Sequence, residues 1–349
     1  MRTTLLAAVL LTAALSARAQ STATLRGIDV YRSAVLTPSA ARSRFGERLR
    51  QYVGLRNART PGAVEKAEAL RAEMAKEAAA LPGVASADLQ VIEYFTSVDH
   101  AMYAVFDVVD AADASRLAFT PAPKAHLKDP GEVLAAWRRY VALGETISRR
   151  GDLPIDRPAC PGLYCLWGGT PELDAAQTAF VDGSVKYGRE LRQILRADAD
   201  GEARASALFV LSYSSSAADA VSLCHEALTD SDARVRGAAL QILADAANHR
   251  PDLPIQLDRV LPRLDDPASA ERGKAMGLLV PLAEHAAYHD AMLAAAPRLA
   301  ALMKLSQPES RDLAFTLLGI LSKKNFDRQD YAAWDAWAEQ AAGKAAGKR

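Results

Sequence analysis

Apolar positions in the second half of the chain fall into paired runs, and the pairs recur. One run of each pair ends in leucine: Leu191-Ile194-Leu195, Val221-Leu228, Val260-Leu261-Leu264 and Leu299-Leu302-Leu305. A polar turn such as Ala197-Asp-Ala-Asp-Gly201 or Asp265-Asp-Pro267 separates the runs, and Asp and Pro there are helix-stop and N-cap residues. The partner run opens on an arginine: Arg204-Ala-Ser-Ala-Leu208, Arg236-Gly-Ala-Ala-Leu240, Arg272-Gly-Lys-Ala-Met276 and Arg311-Asp-Leu-Ala-Phe315. The arginines lie 32, 36 and 39 positions apart. Ala239, Ile242, Leu243 and Ala246 have the i, i+3, i+4, i+7 spacing of a one-sided helix. The pattern predicts a helix–turn–helix unit repeated about every 35 residues. No such pair buries its apolar face alone, so the units must stack into a solenoid, placed at 171–338.

An aspartate stands six positions before each of the first three arginines, at Asp198, Asp230 and Asp266; the fourth unit has Leu305 instead. Charged residues that recur with the architectural period serve the architecture. The register Arg204, Arg236, Arg272, Arg311 with Asp198, Asp230 and Asp266 therefore reads as a ladder between repeats and not as a catalytic series. Within Thr229-Asp-Ser-Asp-Ala-Arg-Val-Arg-Gly-Ala-Ala-Leu240, an Asp, then Val-Arg, then small residues and Leu resembles the HEAT repeat, in particular its phycobilisome-lyase-type subclass. The resemblance covers roughly 187–326 and implies a scaffold; lyase chemistry does not follow from it, because function lives in sites and not in folds. Tyr331, Trp334 and Trp337 share one face of a short helix expected to cap the array, and 339–349 reads as a disordered tail.

The first half changes period. Leu25 to Tyr31 alternates like a strand, helical stretches follow at 39–52 and 63–80, and alternation returns over 87–95 and 103–109. The order β-α-α-β-β, with Leu81-Pro-Gly-Val84 before the second strand and Val105-Phe-Asp-Val-Val-Asp110 as the third, resembles a POTRA domain. That family commonly has a glycine after its first strand, where this chain has Arg32. The resemblance implies a protein-binding module at 20–119 that recruits extended segments to a sheet edge. Thr120-Pro-Ala-Pro123 and Lys128-Asp-Pro-Gly131 punctuate the exit, a helix is expected over 132–149, and 120–170 reads as a structured joint. The fold class is α+β, mostly α: a β-α-α-β-β module followed by a solenoid of HEAT-like helix pairs. That pairing resembles exported bacterial HEAT-repeat proteins.

Composition adds the compartment. Arg2, the apolar run Leu5 to Leu15 and Ala17-Arg-Ala19 have the layout of a signal peptide at 1–19, cleaved after Ala19. No later segment offers the roughly 20 apolar residues of a membrane helix. The expected location is the periplasm. The chain has 42 basic and 42 acidic residues. That balance gives no electrostatic footprint for nucleic acid or an anionic membrane. In an oxidising compartment Cys160-Pro-Gly-Leu-Tyr-Cys165 reads as a structural disulfide across a Pro-Gly turn, and Cys224 as a buried hydrophobe.

His285 and His289, one helical turn apart beside Glu284, are the candidate metal ligands; His225-Glu226 is a second pair. A HEAT fold can host a metal enzyme through His-Glu pairs, but these two pairs fall in non-equivalent helices. No nucleophile elbow, phosphate loop or dinucleotide fingerprint is present. The sequence therefore reads as a non-enzymatic envelope scaffold with no catalytic residue, no cofactor and a protein or peptide partner. The alternatives are a metal-dependent or lyase-like enzyme on the same array, and an accessory to outer-membrane or secretion machinery acting through the POTRA-like module.

Overall fold

The computed structural model describes residues 22–95, 99–154 and 159–347; the expected signal peptide lies outside them. The first module has the order β1 (Thr24–Val30), α1 (Pro38–Ala58), α2 (Pro61–Ala79), β2 (Val84–Phe95) and β3 (His100–Asp110). Thr37 starts α1 by accepting the Ala40 amide, and Pro38 at the first helical position needs no hydrogen-bond partner. The sheet order is β1-β3-β2, with β1 parallel and β2 antiparallel to the central β3.

β3 is buried along almost its whole length, as a strand covered on both faces must be. Ala104, Phe106 and Val108 pack with Ile28, Leu89, Phe45 and Met74 under α1 and α2. The opposite face, carrying Tyr94, Tyr103, Asp107 and Asp29, meets the helical array. Contact there is close. A Cβ on Gly27 would stand 2.6 Å from the Ser306 Cβ and 2.9 Å from the Tyr103 ring. Gly27→Val is therefore expected to cost about 1–3 kcal/mol of stability through overpacking, read as a lower urea midpoint. An unchanged midpoint would mean that sheet and array do not meet this tightly in solution.

The array begins with α3 (Val133–Arg150) and α4 (Pro171–Lys186). Four pairs follow: α5 (Gly188–Ala197) with α6 (Gly201–Leu211), α7 (Ala217–Ala227) with α8 (Ala233–His249), α9 (Leu257–Val260, prolonged by a 3₁₀ turn to Asp265) with α10 (Ser269–Leu282), and, after α11 (Ala286–Leu293), α12 (Ala296–Met303) with α13 (Pro308–Ser322). The last element is α14 (Tyr331–Ala346). One apolar core runs from Trp137 and Phe180 through Leu208, Leu240 and Leu279 to Trp334. The stretch 120–170 thus contributes α3 to the body of the array: Tyr140 donates to the Trp167 carbonyl at 2.5 Å and accepts its amide at 2.7 Å.

The tail corrects an expectation. The disorder assigned to 339–349 is replaced by helix to Ala346, with Ala341 and Ala345 buried. The alanines there are good helix formers, and their small side chains let the last turns lie close against the array.

Candidate functional site

The arginine register forms a ladder along one edge of the solenoid, where the turns between paired helices lie. Arg204 chelates Asp230 at 2.9 and 2.6 Å, and its other arm donates to the carbonyls of Asp198 and Ala199. Arg236 repeats this one unit on, holding Asp266 at 2.8 Å through both nitrogens while donating to the carbonyls of Asp230 and Ser231. Each aspartate also closes its own turn by accepting the amide two residues on: Asp200 for Asp198, Asp232 for Asp230 and Ala268 for Asp266. The helix caps proper are Asp200 and Asp232, two residues later.

Leu305 breaks the series, and the first module repairs it. Arg272 meets no aspartate at the matching position of the fourth repeat and binds Asp107 of β3 at 2.7 Å, with the two side chains 0% and 3% exposed. Asp107 also accepts the Ser269 amide at 2.8 Å. The turn that lacks its own aspartate is closed by Asp29 of β1, which accepts the amides of Ser306 and Gln307 at 2.9 and 2.8 Å. Two strand carboxylates thus replace one missing repeat carboxylate. Arg311 keeps only a carbonyl arm of the ladder, to Ser306 at 3.4 Å, and its Nε turns to the adjacent Asp312 at 2.9 Å. The available sequence signal was Asp107, a charge inside an otherwise apolar central strand.

The chain leaving the sheet straps the rest of this edge. Phe119 lies 4.0 Å from the Arg236 guanidinium and 5.4 Å from that of Arg263. The Thr120 amide donates to Thr229, Ala125 exchanges backbone bonds with Ala197 and Ala199, and the Leu127 amide reaches Asp198. Tyr31 is stacked between Arg272 and Arg116 and donates to Asp265. Burial and the Asp265 carboxylate push its phenol up to about 12, so it stays a donor.

Arg32, which follows this strand where the resemblance expects glycine, has φ 55° and pairs with Asp265 at 2.6 Å and Asp113 at 3.2 Å. The left-handed conformation costs a non-glycine residue about 1–2 kcal/mol. Two partly exposed ion pairs recover some of that. Arg32→Gly should consequently be more stable than Arg32→Ala by about 1 kcal/mol, because only glycine removes the strain. Equal denaturation midpoints for the two variants would show that the strain is absent.

With the turn edge covered, the open surface is a groove of about 520 Å³ between α3 and the second helices α6, α8 and α10. Trp137 stacks on Phe209 with ring centroids 4.8 Å apart, and Tyr164 lies 5.2 Å from Phe209. Val141, Leu166 and Ala238 extend the apolar lining, and Arg138, Glu145, Glu202, Arg234 and Lys274 charge the rim. The loop supplying Tyr164 and Leu166 is closed by the Cys160–Cys165 disulfide, with Cα atoms 5.7 Å apart. A more polar cavity of about 660 Å³ lies on the other side of that loop, lined by Trp167, Gln177, Asp245 and His249.

The candidate ligands His225, His285 and His289 line neither cavity. His285 is the residue before α11, His289 lies one turn on, and Glu284 is exposed ahead of them. Among the described residues no group of three or more His, Cys, Asp or Glu side chains could hold a metal ion. His225 is buried, its Nε2 accepts the Gln256 amide at 3.1 Å, and burial with Arg259 pushes its pKa down, so it is neutral. Glu226 is taken by Arg196. Burial raises the Cys224 thiol well above its usual range. Among the described residues no helix is long and apolar enough to cross a membrane.

Comparison with curated proteins and with solved structures finds no match. Residues 188–279, from the start of α5 into α10, match the family described as HEAT repeats. HEAT repeats generally mediate protein–protein interaction. The stacked helix pairs, with a buried arginine at the same place in successive units, and the match over residues 188–279 give the central part of this chain the character of HEAT repeats.

Proposed function

We propose that the protein is a non-enzymatic scaffold of the bacterial envelope, exported by cleavage after Ala19, that holds a protein or peptide partner in the groove between α3 and the second helices. The groove itself carries this reading. It pairs an aromatic floor with a charged rim, the make-up of a recognition surface with a central anchor pocket, while the opposite use of the array, along its turn edge, is taken by the chain's own strap. Val141 is half-buried in the groove wall, at the margin of the core, so Val141→Glu places a charge at the anchor on a side chain that already reaches solvent. Affinity capture from envelope extracts should recover a partner with the wild-type chain and lose it with Val141→Glu at an unchanged melting temperature. Equal capture by the two chains would sink the groove reading.

A second reading is favoured by β2, which pairs with β3 alone among the described strands and is an edge strand of the POTRA-like sheet. An extended segment can add to such an edge. In that case the captured partner survives Val141→Glu, and its binding slows amide exchange in β2.

A further inference from the structure

Where the first module meets the array, four guanidinium groups line one cavity of about 270 Å³. Arg32 and Arg116 come from the module side and Arg263 and Arg298 from the array side, so the junction brings like charges together from both directions. The carboxylates available to them are Asp113 and Asp265. Both are already shared: Asp265 serves Arg32 at 2.6 Å, Arg298 at 3.3 Å and the Tyr31 hydroxyl at 3.1 Å, and Asp113 serves Arg32 at 3.2 Å and Arg116 at 3.7 Å. Asp266 also lines the cavity, but its two oxygens are chelated by Arg236, with Arg263 adding a third contact at 3.1 Å.

Counting Asp266 with Arg236, four cations face two anions. Arg32 and Arg298 reach solvent in part, but Arg116 and Arg263 are shielded from it. The Arg116 side chain is 4% exposed and its Nη2 has no hydrogen-bond partner; the Arg263 Nε is buried and likewise without one. Burial and the neighbouring Arg272 and Arg32 press the Arg116 pKa down, as expected for cations short of counter-charge. A buried charge needs a partner, and an uncompensated one is costly.

We propose that this junction cavity is a binding site for a dianionic oxyanion of the phosphate or sulfate type, which bridges Arg32 on the module to Arg263 and Arg298 on the array. Guanidinium forks match the tetrahedral oxygens of such an anion, and its two charges equal the surplus. Bound there, it replaces repulsion across the junction with attraction and tightens the docking of the module. The site lies on the strapped edge, away from the groove, so it is independent of the partner reading above.

The test is titration of the purified chain with inorganic phosphate at pH 8 in a low-chloride buffer, read by calorimetry and thermal melting. One phosphate per chain is expected, with a dissociation constant below about 1 mM, and a saturable rise in melting temperature that sodium chloride of equal ionic strength does not reproduce. Arg298→Gln and Arg32→Gln, both at partly exposed side chains, should each weaken binding at least about tenfold while circular dichroism shows a folded chain. Absence of saturable binding overturns the proposal. So does binding by both variants at wild-type strength, which would place the anion elsewhere.

Discussion

Asp107→Ala is expected to lower the unfolding free energy by about 3–5 kcal/mol, the loss typical of breaking a buried ion pair. The reason lies in what remains. Arg272 stays fully buried, keeps the Tyr31 ring and the carbonyls of Asp266 and Pro267, and faces Leu305 where the next repeat would supply an aspartate. The Ser269 amide at the start of α10 loses its acceptor in the same step. Because the pair joins the sheet to the array, the variant should also melt in two transitions where the wild type melts in one. Replacing both partners by apolar residues, Asp107→Leu with Arg272→Met, should recover much of the loss, since a buried pair is often no better than well-packed hydrocarbon of similar volume. Urea unfolding followed by circular dichroism measures both variants. A loss below about 1 kcal/mol for Asp107→Ala would show that the pair is solvated and the module loosely docked.

Arg236→Ala should be nearly as damaging, at about 3–5 kcal/mol. It leaves the Asp266 carboxylate, 0% exposed, with Arg263 as its remaining cation. It also removes the guanidinium stacked on Phe119 and the donors to Asp230 and Ser231. Arg236→Lys should fall well short of rescue, because an ammonium cannot chelate two oxygens while donating to two carbonyls. In a stack of nearest-neighbour units the break should weaken the α7–α8 and α9–α10 interface most, so amide exchange should accelerate there first. A thermal melt matching wild type, with only partner capture lost, would contradict the structural role of the register.

The helical array was legible because its information is local and repeated. Each unit carries its own apolar period and its own arginine, and the first three carry the Asp turn as well, so the copies reinforce one reading. The strands and helices of the first module were legible for the same reason, from alternation broken by Leu81-Pro-Gly-Val84 and from the apolar third strand. The groove was not. Trp137, Tyr164 and Phe209 are separated in sequence, and each has an ordinary explanation as a core aromatic. The anion cavity was equally hidden, since Arg32, Arg116, Arg263 and Arg298 share no motif and no period. The tail was misread because alanine helix against alanine surface has little hydrophobic contrast for a period to show.

By itself the sequence displayed the repeat, an arginine–aspartate register with the repeat's own period, and two cysteines placed to pair across a Pro-Gly turn. These depend on neighbours a few residues away or one repeat away, and periodicity displays both. Tertiary structure alone decided where the first module goes. Leu305 in place of an aspartate leaves Arg272 without its acid and the Ser306–Gln307 turn without its cap. Asp107 and Asp29, far away in the chain, supply both. A buried arginine must be paired, but nothing local says by which residue; only the folded chain brings the strand carboxylates to the gap in the ladder.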